Sequence, residues 1–224
     1  MLPMPEPLRI IAVVGATGNA TERCLDSARN IGSAITGKAF LLTGGDGSSA
    51  PAVKNAVIVG AGADAKIISI LPDKGGLDPR GNRITVRTGL ENGRNVVNAL
   101  ASDAMIVLEG GAGTLSEAAF AQMTGRCVII FGGAETKFES AFADDKRWQK
   151  IVTQSAVMQS NLRVKCTAEV LKAYAREALV HGLKTSDPNA AVSHGMAAPL
   201  RGELPDIKDV NKDEYNAALK KLGR

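Results

Sequence analysis

Six short aliphatic runs, almost all of them unbroken by polar residues, most constrain what this chain can fold into. They are RIIAVVG (9–15), AFLLTGG (39–45), KIISILP (66–72), ITVRTG (84–89), AMIVLEGG (104–111) and CVIIFGG (127–133). A strand with one wet face alternates apolar and polar residues. A continuous run implies burial on both faces, as in a parallel sheet covered by helices. Helix-forming segments lie between the runs, near 20–35, 50–62, 91–101 and 114–124. This alternation predicts an α/β fold, a doubly wound Rossmann-like parallel sheet with helices on both faces. The 224 residues can bury a sizeable core. Aromatics make up only 4% of them, so that core must be built from aliphatic strands and alanine-rich helices.

The pattern weakens after residue 133. Residues 144–160 and 167–181 read as two further helices, the second amphipathic and started by Thr167. Residues 182–209 are rich in small residues, proline and glycine and read as irregular. The stretch VNKDEYNAALKKLGR then reads as a short basic helix. The expected organisation is a ligand-binding domain over 1–181 and an irregular tail with a short C-terminal helix over 182–224.

Composition narrows the function. The net charge of +4 is spread along the chain, with no lysine–arginine run interleaved with aromatics. No nucleic-acid partner is expected, though a mild positive balance suits a phosphorylated ligand. No apolar stretch is long enough to span a bilayer, and the N-terminus has no signal-like region. Cys24, Cys127 and Cys166 are odd in number and far apart, and His181 and His194 are not at metal-ligand spacing from them. The expectation is a cytoplasmic protein without membrane partner, metal or bound cofactor.

Four of the aliphatic runs end in a glycine-rich turn: Gly15, Gly44–Gly45, Gly110–Gly111 and Gly132–Gly133. Open parallel sheets bind ligands at the carboxyl ends of their strands. Glycine there lets the backbone approach a ligand, but strand-to-helix loops use glycine in any case. The first loop, GATGNATERC (15–24), offers Gly15, Ala16 and Thr17 to a phosphate but does not match G-x-G-x-x-G. Asn19-x-x-Glu22 in it also fits a capping box. The second, TGGDGSSAPAVKNAV (43–57), places Gly44, Gly45, Asp46, Ser48 and Ser49 ahead of a helix with Lys54 one turn in, and it is not a Walker A loop. The third, TGLENGRNVVNALASD (88–103), puts Arg94 near a helix start, where a cation gains nothing from the helix dipole. An ion pair, a bound anion or plain solvation are the possible reasons. Asn95 beside it can donate and accept. The fourth, GGAGTLSE (110–117), presents free amides at a helix start through Gly110, Gly111, Gly113 and Thr114. Thr114-x-x-Glu117 is again a capping box, so Glu117 reads either as a cap or as a working carboxylate.

Residues 93–133, GRNVVNALASDAMIVLEGGAGTLSEAAFAQMTGRCVIIFGG, resemble the core of the Lonely Guy, or SLOG, superfamily. The resemblance extends more weakly back to the first strand. The superfamily joins nucleoside-monophosphate phosphoribohydrolases, including proteins once labelled possible lysine decarboxylases, with molybdenum-cofactor carriers and related Rossmann-like binders. It implies a doubly wound fold assembled as a homodimer or homotetramer. The hydrolases carry P-G-G-x-G-T-x-x-E, and Gly110, Gly111, Gly113, Thr114 and Glu117 fit that motif. In the family the glycine–threonine loop holds a 5′-phosphate, and an arginine matched by Arg94 works with the glutamate at the ribose. Glu109 replaces the hydrolase proline, Asn95 replaces the second half of an Arg-Lys pair, and the second loop lacks the hydrolase form. These departures favour the carrier branch. The resemblance therefore implies binding of a phosphorylated nucleotide-like or pterin-like molecule. The alternative is hydrolysis of a nucleoside 5′-monophosphate with Arg94 and Glu117 as catalytic residues. A dinucleotide-binding or purely structural module is the remaining alternative.

Overall fold

A computed structural model describes residues 8–45, 51–72, 82–134, 138–159 and 166–200. The aliphatic runs form strands β1 Ile10–Val14, β2 Phe40–Thr43, β3 Ile67–Leu71, β4 Arg83–Arg87, β5 Ala104–Val107 and β6 Cys127–Phe131. A seventh strand, β7, spans Leu183–Thr185. The sheet order is β4-β3-β2-β1-β5-β6-β7, and every pairing is parallel. The chain winds outward from β1 in one direction, then returns and winds outward in the other. This is the expected doubly wound α/β sheet.

Residue alternation along β1 explains its two-sided burial. Ala12 and Val14 join a core with α3 (Arg94–Ala101), α4 (Ala112–Met123), α6 (Asp145–Gln159) and α7 (Ala168–His181). Ile11 and Val13 join a second core with α1 (Glu22–Ile35), α2 (Val53–Ala61) and α8 (Pro188–Ala197). A short helix, α5 (Glu139–Ala143), precedes α6. Trp148 is fully buried in the first core, and its indole N–H donates to the Ala141 carbonyl at 2.8 Å. Buried indoles need such a partner.

Residues 182–200 are not irregular, contrary to the sequence reading. Leu183 pairs with Ile129 and Thr185 with Phe131, extending the sheet by one edge strand. Asp187 caps α8 by accepting from the Asn189 N–H at 2.9 Å, with Pro188 at the first helical position. Gly195 lets α8 lie close on the sheet, since a Cβ there would stand 2.9 Å from Ile11 Cδ1. Residues 201–224, including the basic helix expected near the C-terminus, lie outside the described residues.

Candidate functional site

The two halves of the sheet diverge between β1 and β5. At such a switch point the flanking loops separate and leave a crevice above the strand ends. The loops are tied at its base, with Ala16 N–H donating to the Glu109 carbonyl at 2.8 Å. The Ala16 carbonyl in turn accepts from Val53 N–H at 2.9 Å. A cavity of about 300 Å³ opens here. Its walls include Gly15, Thr17, Thr43, Gly44, Lys54, Asn92, Arg94, Asn95, Gly111, Ala112, Gly113, Thr114, Glu117, Asp144 and Arg147.

Nine of the expected site residues thus meet in one place: Gly15, Thr17, Gly44, Arg94, Asn95, Gly111, Gly113, Thr114 and Glu117. The other four do not line the cavity. Ala16 commits both backbone groups to holding the loops together. Gly110 lies beneath Thr114, whose Oγ1 a Cβ at 110 would strike. Gly45 is packed on Leu71 at φ +83°. Asp46 lies outside the described residues, as do Ser48 and Ser49.

None of the three capping-box patterns in the sequence, Asn19-x-x-Glu22, Thr88-x-x-Glu91 and Thr114-x-x-Glu117, forms. Helix α1 is capped by Thr21, which accepts from Cys24 N–H at 3.3 Å, while Asn19 sits at φ 56° outside the helix. Thr88 donates to the Leu71 carbonyl at 2.9 Å and accepts from Leu90 N–H at 3.2 Å, ahead of a 3-10 turn at Glu91–Gly93. Helix α4 begins two residues before Thr114, at Ala112, and its N-cap Gly111 provides no side-chain cap. Leu115 N–H bonds back to the Gly111 carbonyl at 3.1 Å. The amides of Ala112, Gly113 and Thr114 therefore precede the helical ladder, at the positive end of the helix. All three residues line the crevice.

The shifted helix start also moves Glu117 out of capping range and into the core. Its residue is 6% exposed. Arg94, the first residue of α3, brings Nη1 to 3.4 Å from Glu117 Oε1. Asn98, one turn further on the same helix, donates to that oxygen at 2.6 Å. Burial pushes the Glu117 carboxyl above the usual carboxylate range, while Arg94, the Asn98 amide and Lys54 pull it back. The Arg94 guanidinium rests on Gly44, where a Cβ would stand 2.9 Å from Cζ. Asn95 is spent internally, donating to Ser116 Oγ at 2.8 Å and fixing α3 against the α4 N-terminus.

Several crevice residues were not legible as site residues. Arg147 reaches the rim from α6 and donates to Asn92 Oδ1 at 3.1 Å. Asn92 in turn donates to Gln154 Oε1. Lys54, Arg94 and Arg147 thus bring cationic side chains from three helices to one cavity, beside the acids Glu117 and Asp144. Thr43 ends β2 and is fully buried. A polar residue closing an otherwise aliphatic run was the available signal for it.

Glu109 does not load the crevice with negative charge. Its Oε1 accepts from Thr21 N–H at 3.0 Å and from the Thr21 hydroxyl, at the start of α1. A carboxylate is stabilised there by the helix dipole. It occupies the β1–α1 turn, where dinucleotide-binding folds seat a pyrophosphate. A second cavity, about 210 Å³, lies on that side, bounded by Thr21, Cys24, Glu109 and Phe131.

Among the described residues, no helix is long and apolar enough to cross a membrane. Nor do they hold a group of three or more His, Cys, Asp or Glu that could bind a metal.

Sheet and crevice together define a Rossmann-like doubly wound α/β protein with its cleft at the switch point. The model of the SLOG cluster4 family matches residues 8–162, and the chain belongs to that family. Its fold is shared by the molybdenum cofactor binding protein of the phototrophic bacterium Rippkaea orientalis. That structure is 25% identical, with a TM-score of 0.57, covering 84% of this chain and 95% of the other. The molybdenum cofactor carrier protein MCP of Chlamydomonas reinhardtii is 22% identical, with a TM-score of 0.55 over 84% and 95% of the two chains. A further structure of the Chlamydomonas reinhardtii Moco carrier protein gives a TM-score of 0.53 at 22% identity, over 84% and 94%. No curated protein matches the chain.

Proposed function

We propose that this protein binds a phosphorylated, nucleotide-like or pterin-like small molecule, with its phosphate at the N-terminus of α4. The observation that carries the reading is the opening of α4 into the crevice without a side-chain cap. Three amides at a helix start attract an anion, and the hydroxyl of Thr114 adds a donor. Lys54, Arg94 and Arg147 supply the surrounding positive charge. The cavity, about 300 Å³, suits one ligand of mononucleotide size rather than a dinucleotide. The likeness to the molybdenum cofactor binding protein favours a phosphorylated pterin among such ligands. Carboxylate occupancy of the β1–α1 turn by Glu109 speaks against a nicotinamide dinucleotide. The protein acts as a homodimer or homotetramer in the cytoplasm. Three cysteines outside any disulfide support the reducing compartment, and exposed Ile84 and Val86 on edge strand β4 support assembly.

Isothermal titration with inorganic phosphate, nucleoside monophosphates and pterin phosphates tests the reading. Saturable binding of at least one is expected, and no binding of any at millimolar concentration overturns it.

The pairing of Arg94 with Glu117 favours a second reading, phosphoribohydrolysis of a nucleoside 5′-monophosphate. A buried carboxylate beside the anomeric carbon would stabilise an oxocarbenium-like sugar as the N-glycosidic bond breaks. Chromatographic detection of released base, lost in Glu117→Gln, is the expected result for an enzyme. The absence of free base with the wild type removes this reading.

A further inference from the structure

Two donors converge on one oxygen of Glu117. Arg94 Nη1 lies 3.4 Å from Oε1, and Asn98 Nδ2 donates to the same atom at 2.6 Å. Oε2 accepts from none of the described residues. Glu117 lines the crevice and its side chain keeps 8% of its surface exposed, so the unengaged oxygen is the one left to meet what binds there. Glu117 stands one turn along α4 from Thr114. Helical side chains lean toward the helix N-terminus, so its carboxyl reaches back toward the amides of 112–114. Asn98 is itself fully buried, and its Oδ1 has no partner among the described residues. A buried amide with one end unanswered costs stability that a leucine would not. What this amide does, it does through Nδ2, on Glu117.

An anion at the α4 N-terminus shares a crevice of about 300 Å³ with this carboxylate. Like charges in one small site disfavour the ionised form of the weaker acid. Arg94 and Lys54 are the cations that face Glu117, from α3 and α2. Asp144 and Arg147 line the crevice from the junction of α5 and α6, where Asp144 accepts the Arg147 N–H at 3.1 Å. None of the described residues of β5, β6 or α7, which pack on the rest of α4, lines it, and neither histidine does. Burial already holds the Glu117 carboxyl above the usual carboxylate range. Glu117 is thus the group placed to answer an added negative charge by taking up a proton.

We propose that anion binding at α4 protonates Glu117 on Oε2, and that Asn98 is the positioning residue that fixes Oε1 and leaves Oε2 to carry the proton. This rests on the phosphate reading above and adds to it the pH control of the same site. The proton comes from solvent; it forms the O–H bond at Oε2, and no other covalent bond changes. The new hydroxyl donates to the anion, and the charge of Arg94 is released to the anion as well. Asn98 donates to Oε1 in both states, because the oxygen accepts whether or not the carboxyl is ionised.

Sulfate is the probe, because it stays an unprotonated dianion between about pH 5 and 8, and calorimetry in buffers of different ionisation enthalpy counts the protons exchanged. Wild type is expected to take up a fraction of a proton per sulfate bound. Its affinity should fall by up to about tenfold per pH unit over part of that range. In Glu117→Gln both the uptake and the pH dependence should vanish. Asn98→Leu removes a donor that pulls the carboxyl down, so the fall in affinity should move to higher pH. A purely structural role for Asn98 would instead weaken binding equally at every pH. Where Asn98→Leu does not fold, Asn98→Ala carries the same expectation. Sulfate binding to the wild type without proton uptake, uptake that persists in Glu117→Gln, or an unmoved pH profile in the Asn98 variant would overturn the proposal. So would binding of inorganic phosphate without binding of sulfate, because a Glu117 that stays ionised demands a donor on the ligand. Absence of binding of both anions overturns the phosphate reading itself, and the protonation of Glu117 falls with it.

Discussion

Replacing Arg94 by methionine isolates what the buried ion pair does. The side chains of Arg94 and Glu117 are only 14% and 8% exposed, and their charged atoms are 3.4 Å apart. At an effective dielectric constant of about 20 this separation corresponds to roughly 5 kcal/mol of gross attraction. Desolvation offsets much of that, but removing one partner of a buried pair typically costs about 3–5 kcal/mol, because the other charge is stranded. The penalty must depend on pH. Glu117 is held above its ordinary range by burial, with Arg94 the first of the groups pulling it down. A carboxyl whose folded-state pKa exceeds its unfolded value stabilises the fold most below the unfolded value. That contribution is lost as pH rises through the folded one. Arg94→Met raises the folded value further and widens this window upward. Chemical denaturation should therefore give a penalty below about 1 kcal/mol at pH 4, where Glu117 is mostly protonated in both states, growing to about 3 kcal/mol at pH 8. The double variant Arg94→Met/Glu117→Gln should recover most of the loss at pH 8. A penalty independent of pH, or a failure of Glu117→Gln to rescue, would refute the reasoning.

Three further outcomes follow from the same geometry. Glu109→Ala removes the acceptor of two Thr21 donors at the start of α1; it should cost about 1 kcal/mol, a fall of roughly 2–4 °C in melting temperature, with phosphate affinity unchanged in calorimetry. Gly44→Ala sets a methyl group against the Arg94 guanidinium, so it should weaken phosphate binding in the same assay, and wild-type affinity would show that Arg94 has room to move. Burial pushes the Cys166 thiol up to about 12. Mass spectrometry after iodoacetamide treatment at pH 8 should find it unmodified in the native protein and alkylated after denaturation, since only the thiolate attacks.

The sheet was readable because its strands are buried on both faces, which turns each into an unbroken aliphatic run. Strand β7 was not, because an edge strand of three residues, Leu-Lys-Thr, carries no such run. Helix α8 was hidden by Pro188, Ser193 and Gly195, residues that ordinarily mark loops but here serve as a first-turn proline and a close-packing glycine. The crevice loops were legible from glycines at strand ends, and the ion pair of Arg94 was one of the reasons open for its misfit with the helix dipole. The capping boxes misled for a local reason. Helix α4 starts at Ala112, so the Thr114–Glu117 pair lies inside it and Glu117 turns to meet α3. Local spacing cannot show that a helix starts two residues early. Nor could it place Arg147 at the crevice, since a rim residue from α6 arrives there only through the tertiary path of the chain.

The central claim is that an anion sits at the uncapped N-terminus of α4, and amide chemical shifts test it most directly. In a 1H–15N titration of the protein with inorganic phosphate, and separately with guanosine 5′-monophosphate, the backbone amides of Ala112, Gly113 and Thr114 should show the largest saturating shifts with both. Movement concentrated instead at Thr21–Cys24 beside Glu109, or no saturating shift at 112–114 with either probe, would contradict the account.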